Sequence, residues 1–186
     1  MLIILSLWEN PQMEFDLQPT LTGTLVRLRP LAADEFEELY RVAGDPSLWE
    51  QHPEPLRYQR DVFQKYFDGA IASKGAFAAM DLASGRMIGS SRYYDYAPTQ
   101  REIKIGYTFV AREFWGRGYN PEMKRLMLDH AFRHVDRVMF EIGESNIRSQ
   151  TAIGRIGARL IGKSELPGLD GAPRKMLLYE ISRPRK

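Results

Sequence analysis

The stretch "REIKIGYTFVAREFWGRGYNPEMKRLMLDHAF", Arg101 to Phe132, decides the fold. At its start Ile103, Ile105, Tyr107 and Phe109 alternate with Glu102, Lys104, Gly106 and Thr108. A period of two with such different partners reads as a strand with two chemically distinct faces. At its end Met123, Leu126, Met127 and Ala131, with Val135 beyond, recur at helical spacing. Between them Gly116-Arg117-Gly118 turns the chain. Asn120 is then a preferred N-cap, Pro121 suits the first helical position, and Glu122 favours the positive end of the helix dipole. Strand, glycine turn and helix start together aim several backbone N–H groups at one spot, which suits a pyrophosphate. Glycine matters there because a Cβ holds a ligand off the backbone. A plain turn accounts for two glycines equally well, so the loop needs a second motif to become a site.

Outward from this stretch, the pattern alternates strands and helices. Upstream, "GTLVRLR" from Gly23 reads as a strand ended by Pro30. "DEFEELYRVAG" from Asp34 reads as a helix, and Arg60 to Ala72 as another. The linker between them, "DPSLWEQHPEP" from Asp45, places Trp49, Glu50 and His52 among prolines, where they read as exposed and ligand-facing. Two apolar runs flanking Ala83-Ser84-Gly85-Arg86 read as an antiparallel hairpin. Downstream come a strand at "RVMFEIG" from Arg137, a short helix from Asn146 to about Ile156, a strand at "ARLIG", a Pro/Gly-rich loop and a last strand at "KMLLYEI". The order β-α-α-β-β-β-α-β-α-β-β implies an α/β or α+β fold, with helices on both faces of a mixed sheet.

Composition narrows the function. Basic and acidic residues nearly cancel, 26 against 24, so no broad positive field exists for nucleic acid. The chain has no cysteine, which excludes disulfides, thiolate metal sites and thiol nucleophiles and fits a reducing compartment; cytoplasm is the default expectation. The opening "MLIILSLWENPQ" is too short to span a bilayer and lacks both a basic leader and a small-residue cleavage site. Two readings of it stand: an extra strand or clasp, or an upstream start that makes Met13 the natural beginning. Residues 1–20 are accordingly set apart as an N-terminal extension and 21–186 as one domain. His130 and His134 share a helical face but lack the glutamate a zincin places after the first, so no metal is expected. "GARLIGKS", Gly157 to Ser164, fits the P-loop pattern letter by letter, yet its interior is strand-like and no helix follows.

The second motif is "NIRSQTAIGRIGARLIG", beginning at Asn146. Together with "FWGRGY" it resembles the coenzyme A-binding core of the GNAT N-acetyltransferase superfamily, in the branch of ribosomal-protein N-terminal acetyltransferases. The resemblance runs from about Leu21 to the C-terminus and implies a mostly antiparallel central sheet. It implies a loop whose amides hold the coenzyme pyrophosphate, with Trp115 in the place the family gives to Arg or Gln, and Gly118 matching. Asn120 stands where the family has Gly or Ala, and Pro121 lacks an N–H. The later motif, Asn-x-x-Ser-x-x-Ala followed by a basic residue and Gly, matches Asn146, Ser149, Ala152, Arg155 and Gly157. The cofactor-binding residues implied are Phe109, Val110, Trp115, Gly116, Arg117, Gly118, Tyr119, Asn120, Asn146, Ser149 and Arg155, the last reaching the phosphates.

The activity implied is transfer of acetyl from acetyl-CoA to a primary amine by direct attack on the thioester. Amines have pKa values of about 8 at an N-terminus and about 10.4 on lysine, so a base or a desolvating pocket must help. Backbone donors around Tyr107 to Val110 would polarise the thioester carbonyl. Ser149 is the best proton donor to the thiolate, because Ile153 stands where many relatives carry tyrosine. Where relatives carry a strand glutamate this chain has Lys104; Glu102, on the same face, either replaces it as base or pairs with Lys104. Glu141, Glu50 and His52 are further candidates. Trp49, Glu50, His52 and Tyr94, with Tyr93 and Tyr96, suggest an aromatic, partly acidic acceptor pocket. The acceptor is a protein N-terminus or a small-molecule amine; a homodimer is left open, and neither a nucleic acid nor a membrane partner is expected. The alternative is a non-catalytic acyl-CoA-binding or sensing module.

Overall fold

The computed structural model describes residues 15–184, and the reading of the opening apolar segment lies outside them. Strands β1 (Leu21–Thr22), β2 (Val26–Pro30), β3 (Ala76–Asp81), β4 (Met87–Ala97), β5 (Glu102–Val110), β6 (Arg137–Gly143), β7 (Arg159–Pro167) and β8 (Pro173–Ser182) form one sheet. Its order is β1-β2-β3-β4-β5-β6-β8-β7. Among the described residues only β5 and β6 pair in parallel. Helices α1 (Phe36–Ala43) and α2 (Arg60–Ala72) cover one face; α3 (Tyr119–Ala131) and α4 (Ile147–Arg155) belong to the other. The expected mixed, mostly antiparallel sheet between helices is what forms, and the connection β5–α3–β6 supplies the parallel pair through a helical crossover.

Two apolar clusters lie on either side of the sheet. Val26, Leu28, Phe77, Ile88, Ile103 and Ile105 meet Met123 and Met127 of α3. Ala78, Met87 and Phe109 meet Leu39 of α1 and Phe63 and Phe67 of α2. The strand read from Gly23 is β2 and begins at Val26, because Gly23 to Leu25 form a turn closed over Glu122; the shorter β1 precedes it. The P-loop-like run at Gly157 enters β7, so it cannot open a helix.

The unbroken alternation expected along Glu102–Val110 fails at one place. Tyr107 adopts a left-handed φ of 53°, and the β4–β5 register slips between Ser90 and Arg92. This is a bulge, and one extra residue inverts the facing of everything after it. Ile103 and Ile105 therefore face α3, whereas Phe109 packs into the α1/α2 layer. The inversion occurs beside a second irregularity. Strands β5 and β6 pair at Glu102↔Arg137, Ile103↔Val138 and Lys104↔Met139 and then part. The site is built at this split.

Candidate active site

The split leaves one edge of β5, from Ile105 to Val110, without a strand partner, and the fold takes up its polar groups individually. Tyr66 of α2 donates its hydroxyl to Tyr107 O at 2.8 Å. Trp115 donates its indole N–H to Val110 O at 2.7 Å. Arg92 stacks its guanidinium 4.1 Å from the centroid of the Tyr107 ring. Gly106 lies under the Tyr94 ring, where an added Cβ would come within 2.9 Å of ring carbon. Strand backbone is thus held open at the bulge without being covered by another strand.

The loop that follows reaches the start of α3. Gly116 and Gly118 both have positive φ, 72° and 88°, which only glycine adopts cheaply. Gly118, not Asn120, is the N-cap; Tyr119, Asn120 and Pro121 are the first three helical residues. The expected cap therefore moves two residues back, because the left-handed glycine already turns the chain into the helix. The amides of Gly118, Tyr119 and Asn120 begin the helix without carbonyls behind them, while Glu122 N–H is the first to be taken, by Gly118 O at 3.0 Å. Pro121 removes the remaining free amide. A Cβ on Gly116 would meet nothing within 4 Å, so the cradle is open toward solvent. Arg117 and Arg155 are exposed and have no ion-pair partner among the described residues. An amide cradle flanked by free guanidinium groups fits a pyrophosphate.

The side chains named from sequence divide into those that serve the ligand and those that hold the frame. Phe109 and Val110 are both buried, so they offer only backbone. The Tyr119 hydroxyl is bonded to Asp81 at 2.8 Å. Asn120 Oδ1 is buried and has no hydrogen-bond partner among the described residues. Asn146 spends its side-chain oxygen capping α4 through Ser149 N–H at 3.1 Å, and Ser149 is half-buried in that first turn.

Across the split, Lys104 bridges Glu141 at 3.1 Å and Asp95 at 3.0 Å. Burial and then the negative charge of Glu141 raise the Tyr94 hydroxyl well above its ordinary pKa, so it remains a proton carrier. Glu102 is displaced from this group. Its carboxylate is bound to Arg137 at 2.7 Å where the strands still pair, about 13 Å along the strand from Gly106. Glu141, by contrast, lies on β6 beyond the last paired residue.

The α1–α2 linker is partly a wall and partly a cleft. Trp49 is not exposed: it is 2 % accessible, donates to Ala43 O at 2.7 Å and packs on Phe109. Proline-rich surroundings suggested a surface loop, but the indole fills the α1/α2 core. Tyr93 is likewise a core residue, bonded to Met127 O. Glu50 and His52 do line a cleft of about 480 Å³ with Gly143, Glu144 and Arg174. Desolvation, then the nearby Arg57 charge, pushes His52 well below its ordinary pKa. Its Nδ1 accepts from Glu54 N–H and its Nε2 faces Arg57, so neither nitrogen is free to take a proton.

Three residues at the site escaped the sequence reading. Arg148 stacks 4.2 Å from the Trp115 ring, donates to Leu48 O and thereby joins α4, the glycine loop and the α1–α2 linker across the open end of the split. Tyr66 and Lys124 hold the bulge. Only Lys124 left a signal, since it lies three residues before Met127 on the stripe that should be apolar.

A family model described as "Acetyltransferase (GNAT) domain" matches residues 26–159, and the chain belongs to this family. Solved structures share the fold. A GCN5-related N-acetyltransferase from Brucella melitensis superposes with a TM-score of 0.77 at 24% identity, covering 92% of this chain and 80% of its own. RimJ of Mycobacterium smegmatis, solved with CoA-disulfide, gives 0.68 at 22% identity over 88% and 87%. The microcin C7 self-immunity acetyltransferase MccE, solved with acetyl-CoA and AMP, gives 0.71 at 14% identity over 90% and 99%. The protein is an acetyltransferase of the GNAT family, with a fold shared by ribosomal-protein acetyltransferases.

Proposed function

We propose that the protein transfers acetyl from acetyl-CoA to a primary amine, either a protein N-terminus or a small molecule. The observation that carries this reading is the split after Lys104↔Met139, with the Tyr107 bulge on one lip and the Gly116–Asn120 amide cradle just beyond. The amides of Gly118, Tyr119 and Asn120, with Arg117 and Arg155, hold the pyrophosphate. Acetyl-CoA supplies a thioester carbon open to attack.

The acceptor approaches from the Glu50, His52 and Tyr94 side. Its nitrogen forms the new N–C bond as the C–S bond breaks, and charge growing on the carbonyl oxygen meets backbone N–H groups at the bulge. In this reading Glu141 accepts the ammonium proton, directly or through water, because it lies beyond the last β5–β6 pair, beside Lys104, whereas Glu102 is bound to Arg137 where the strands still pair. The Ser149 hydroxyl donates a hydrogen bond to the departing thiolate, which is protonated from solvent as Glu141 gives up the proton it took. The division into an extension, 1–20, and a domain, 21–186, is part of this proposal; Phe15 of the extension packs in the core.

Two measurements test the reading. Calorimetric titration with acetyl-CoA is expected to give a Kd of about 1–100 μM; no binding at about 1 mM refutes it. A thiol-release screen over small amines and N-terminal peptides is expected to find an acceptor that drives CoA release. Binding without release on any acceptor leaves the acyl-CoA-sensing alternative in its place.

A further inference from the structure

Lys124 of α3 is 5 % accessible and has no ion-pair partner among the described residues. Its Nζ donates to Thr108 Oγ1 at 2.5 Å and lies 5.7 Å from the centroid of the Phe140 ring. Thr108 belongs to β5 and Phe140 to β6, so the amine sits where the two strands have parted. Desolvation brings its pKa down to about 7, which places a half-neutral amine under the split near pH 7.

The hydroxyl it meets is fully committed. Ser91 Oγ lies 2.7 Å from Thr108 Oγ1, and Thr108 Oγ1 lies 3.3 Å from Gly106 O. A threonine hydroxyl has one hydrogen and two lone pairs. The carbonyl of Gly106 can only accept, so the Thr108 hydrogen goes to it. Lys124 and Ser91 therefore both donate, one to each lone pair. The result is a three-way lock that spans Gly106, Tyr107 and Thr108, the residues of the bulge. Tyr66 fixes the same turn from the opposite layer through Tyr107 O.

We propose that Lys124 is a positioning residue for acetyl transfer: through the Thr108 hydroxyl it fixes the Tyr107 bulge, and with it the backbone N–H groups that polarise the thioester carbonyl. The inference rests on the acetyl-CoA reading above and adds to it a residue that touches neither substrate. Removing the amine leaves the Thr108 hydroxyl held by Ser91 and Gly106 O alone, and the bulge loses its only tie to α3 among the described contacts. Because the amine is buried without a counter-charge, replacing it with an apolar chain of similar length relieves a desolvation cost instead of opening a cavity. Stability and catalysis should thus move in different directions.

The test uses infrared difference spectra of acetyl-CoA labelled with 13C at the carbonyl. Wild-type protein is expected to shift the carbonyl band to lower frequency. Lys124→Met and Thr108→Val should each lose about half of that shift or more, with CoA affinity changed by less than about threefold. The melting temperature of Lys124→Met should equal or exceed that of wild type. With any acceptor found in the screen, kcat should fall roughly tenfold to a hundredfold while KM for acetyl-CoA holds, and the double variant should be no worse than the poorer single one. An unshifted band in Lys124→Met relative to wild type overturns the proposal; should that variant not fold, an unchanged band in Thr108→Val does so. Wild-type binding with no carbonyl shift also overturns it while leaving the acetyl-CoA reading intact. Failure of wild type to bind acetyl-CoA overturns that reading, and this one with it.

Discussion

Glu122→Gln should loosen the join between the Gly23–Leu25 turn and the start of α3, and the structure sets its size. The Glu122 carboxylate accepts from Thr24 N–H at 3.0 Å, Thr24 Oγ1 at 2.6 Å, Leu25 N–H at 2.8 Å and Val26 N–H at 2.9 Å. Burial alone would raise its pKa, but these donors outweigh burial and lower it from 4.5 to about 2. The side chain is only 10 % exposed, so solvent screens the effect little. At about 1.4 kcal/mol per pKa unit, the depression corresponds to about 3 kcal/mol of folding stability at pH 7. The sign follows from the direction: an acid with a depressed folded pKa stabilises above its unfolded value, and the contribution disappears as pH falls from about 4.5 toward 2. Glutamine keeps one acceptor but turns an NH2 toward a row of donors, so most of this is lost. Urea unfolding at pH 7 should show a loss of about 2–3 kcal/mol, and the gap to wild type should narrow as the pH is lowered to 3. A loss below about 0.5 kcal/mol at pH 7, or one that is the same at both pH values, would refute the assignment of the pKa depression to these donors.

Other perturbations separate frame from site. Gly116→Val, at a φ of 72° with open space around the new Cβ, should weaken acetyl-CoA binding by about tenfold or more by calorimetry, at a strain cost of only about 1–3 kcal/mol. Tyr66→Phe should cost about 1 kcal/mol in stability and lower kcat more than it changes KM for acetyl-CoA, because the Tyr107 carbonyl loses its donor. Glu141→Gln should lower kcat about a hundredfold at neutral pH, whereas Glu102→Gln should lower it by less than about threefold.

Much of the frame was legible because local rules decided it. Arg60–Ala72 was read as a helix to the residue, and the hairpin at Ala83–Arg86 and the strand from Arg137 stood where their patterns put them. The glycine loop was legible as well, since positive φ at Gly116 and Gly118 is a backbone requirement that only glycine meets easily. Trp49 was misread because proline-rich linkers usually run on the surface; whether an indole in one turns inward depends on the hole left by Phe109, Tyr66 and Ala43, which no local pattern reveals. Glu102 and Glu141 could not be ranked for a similar reason. Both are strand carboxylates, and their difference lies in where the β5–β6 pairing stops.

The sequence by itself determined the order of elements, the two motifs and the class of chemistry, because periodicity, glycine and proline act over a few residues. Tertiary structure alone decided the bulge at Tyr107, the split beyond Lys104, and the burial of Lys124 beneath it. Those features are set by contacts between residues far apart in the chain, Tyr66 with Tyr107 and Lys124 with Thr108 among them. A bulge inverts side-chain facing from a single residue onward, so its effect on Phe109 and Thr108 cannot be read from a pattern that looks unbroken.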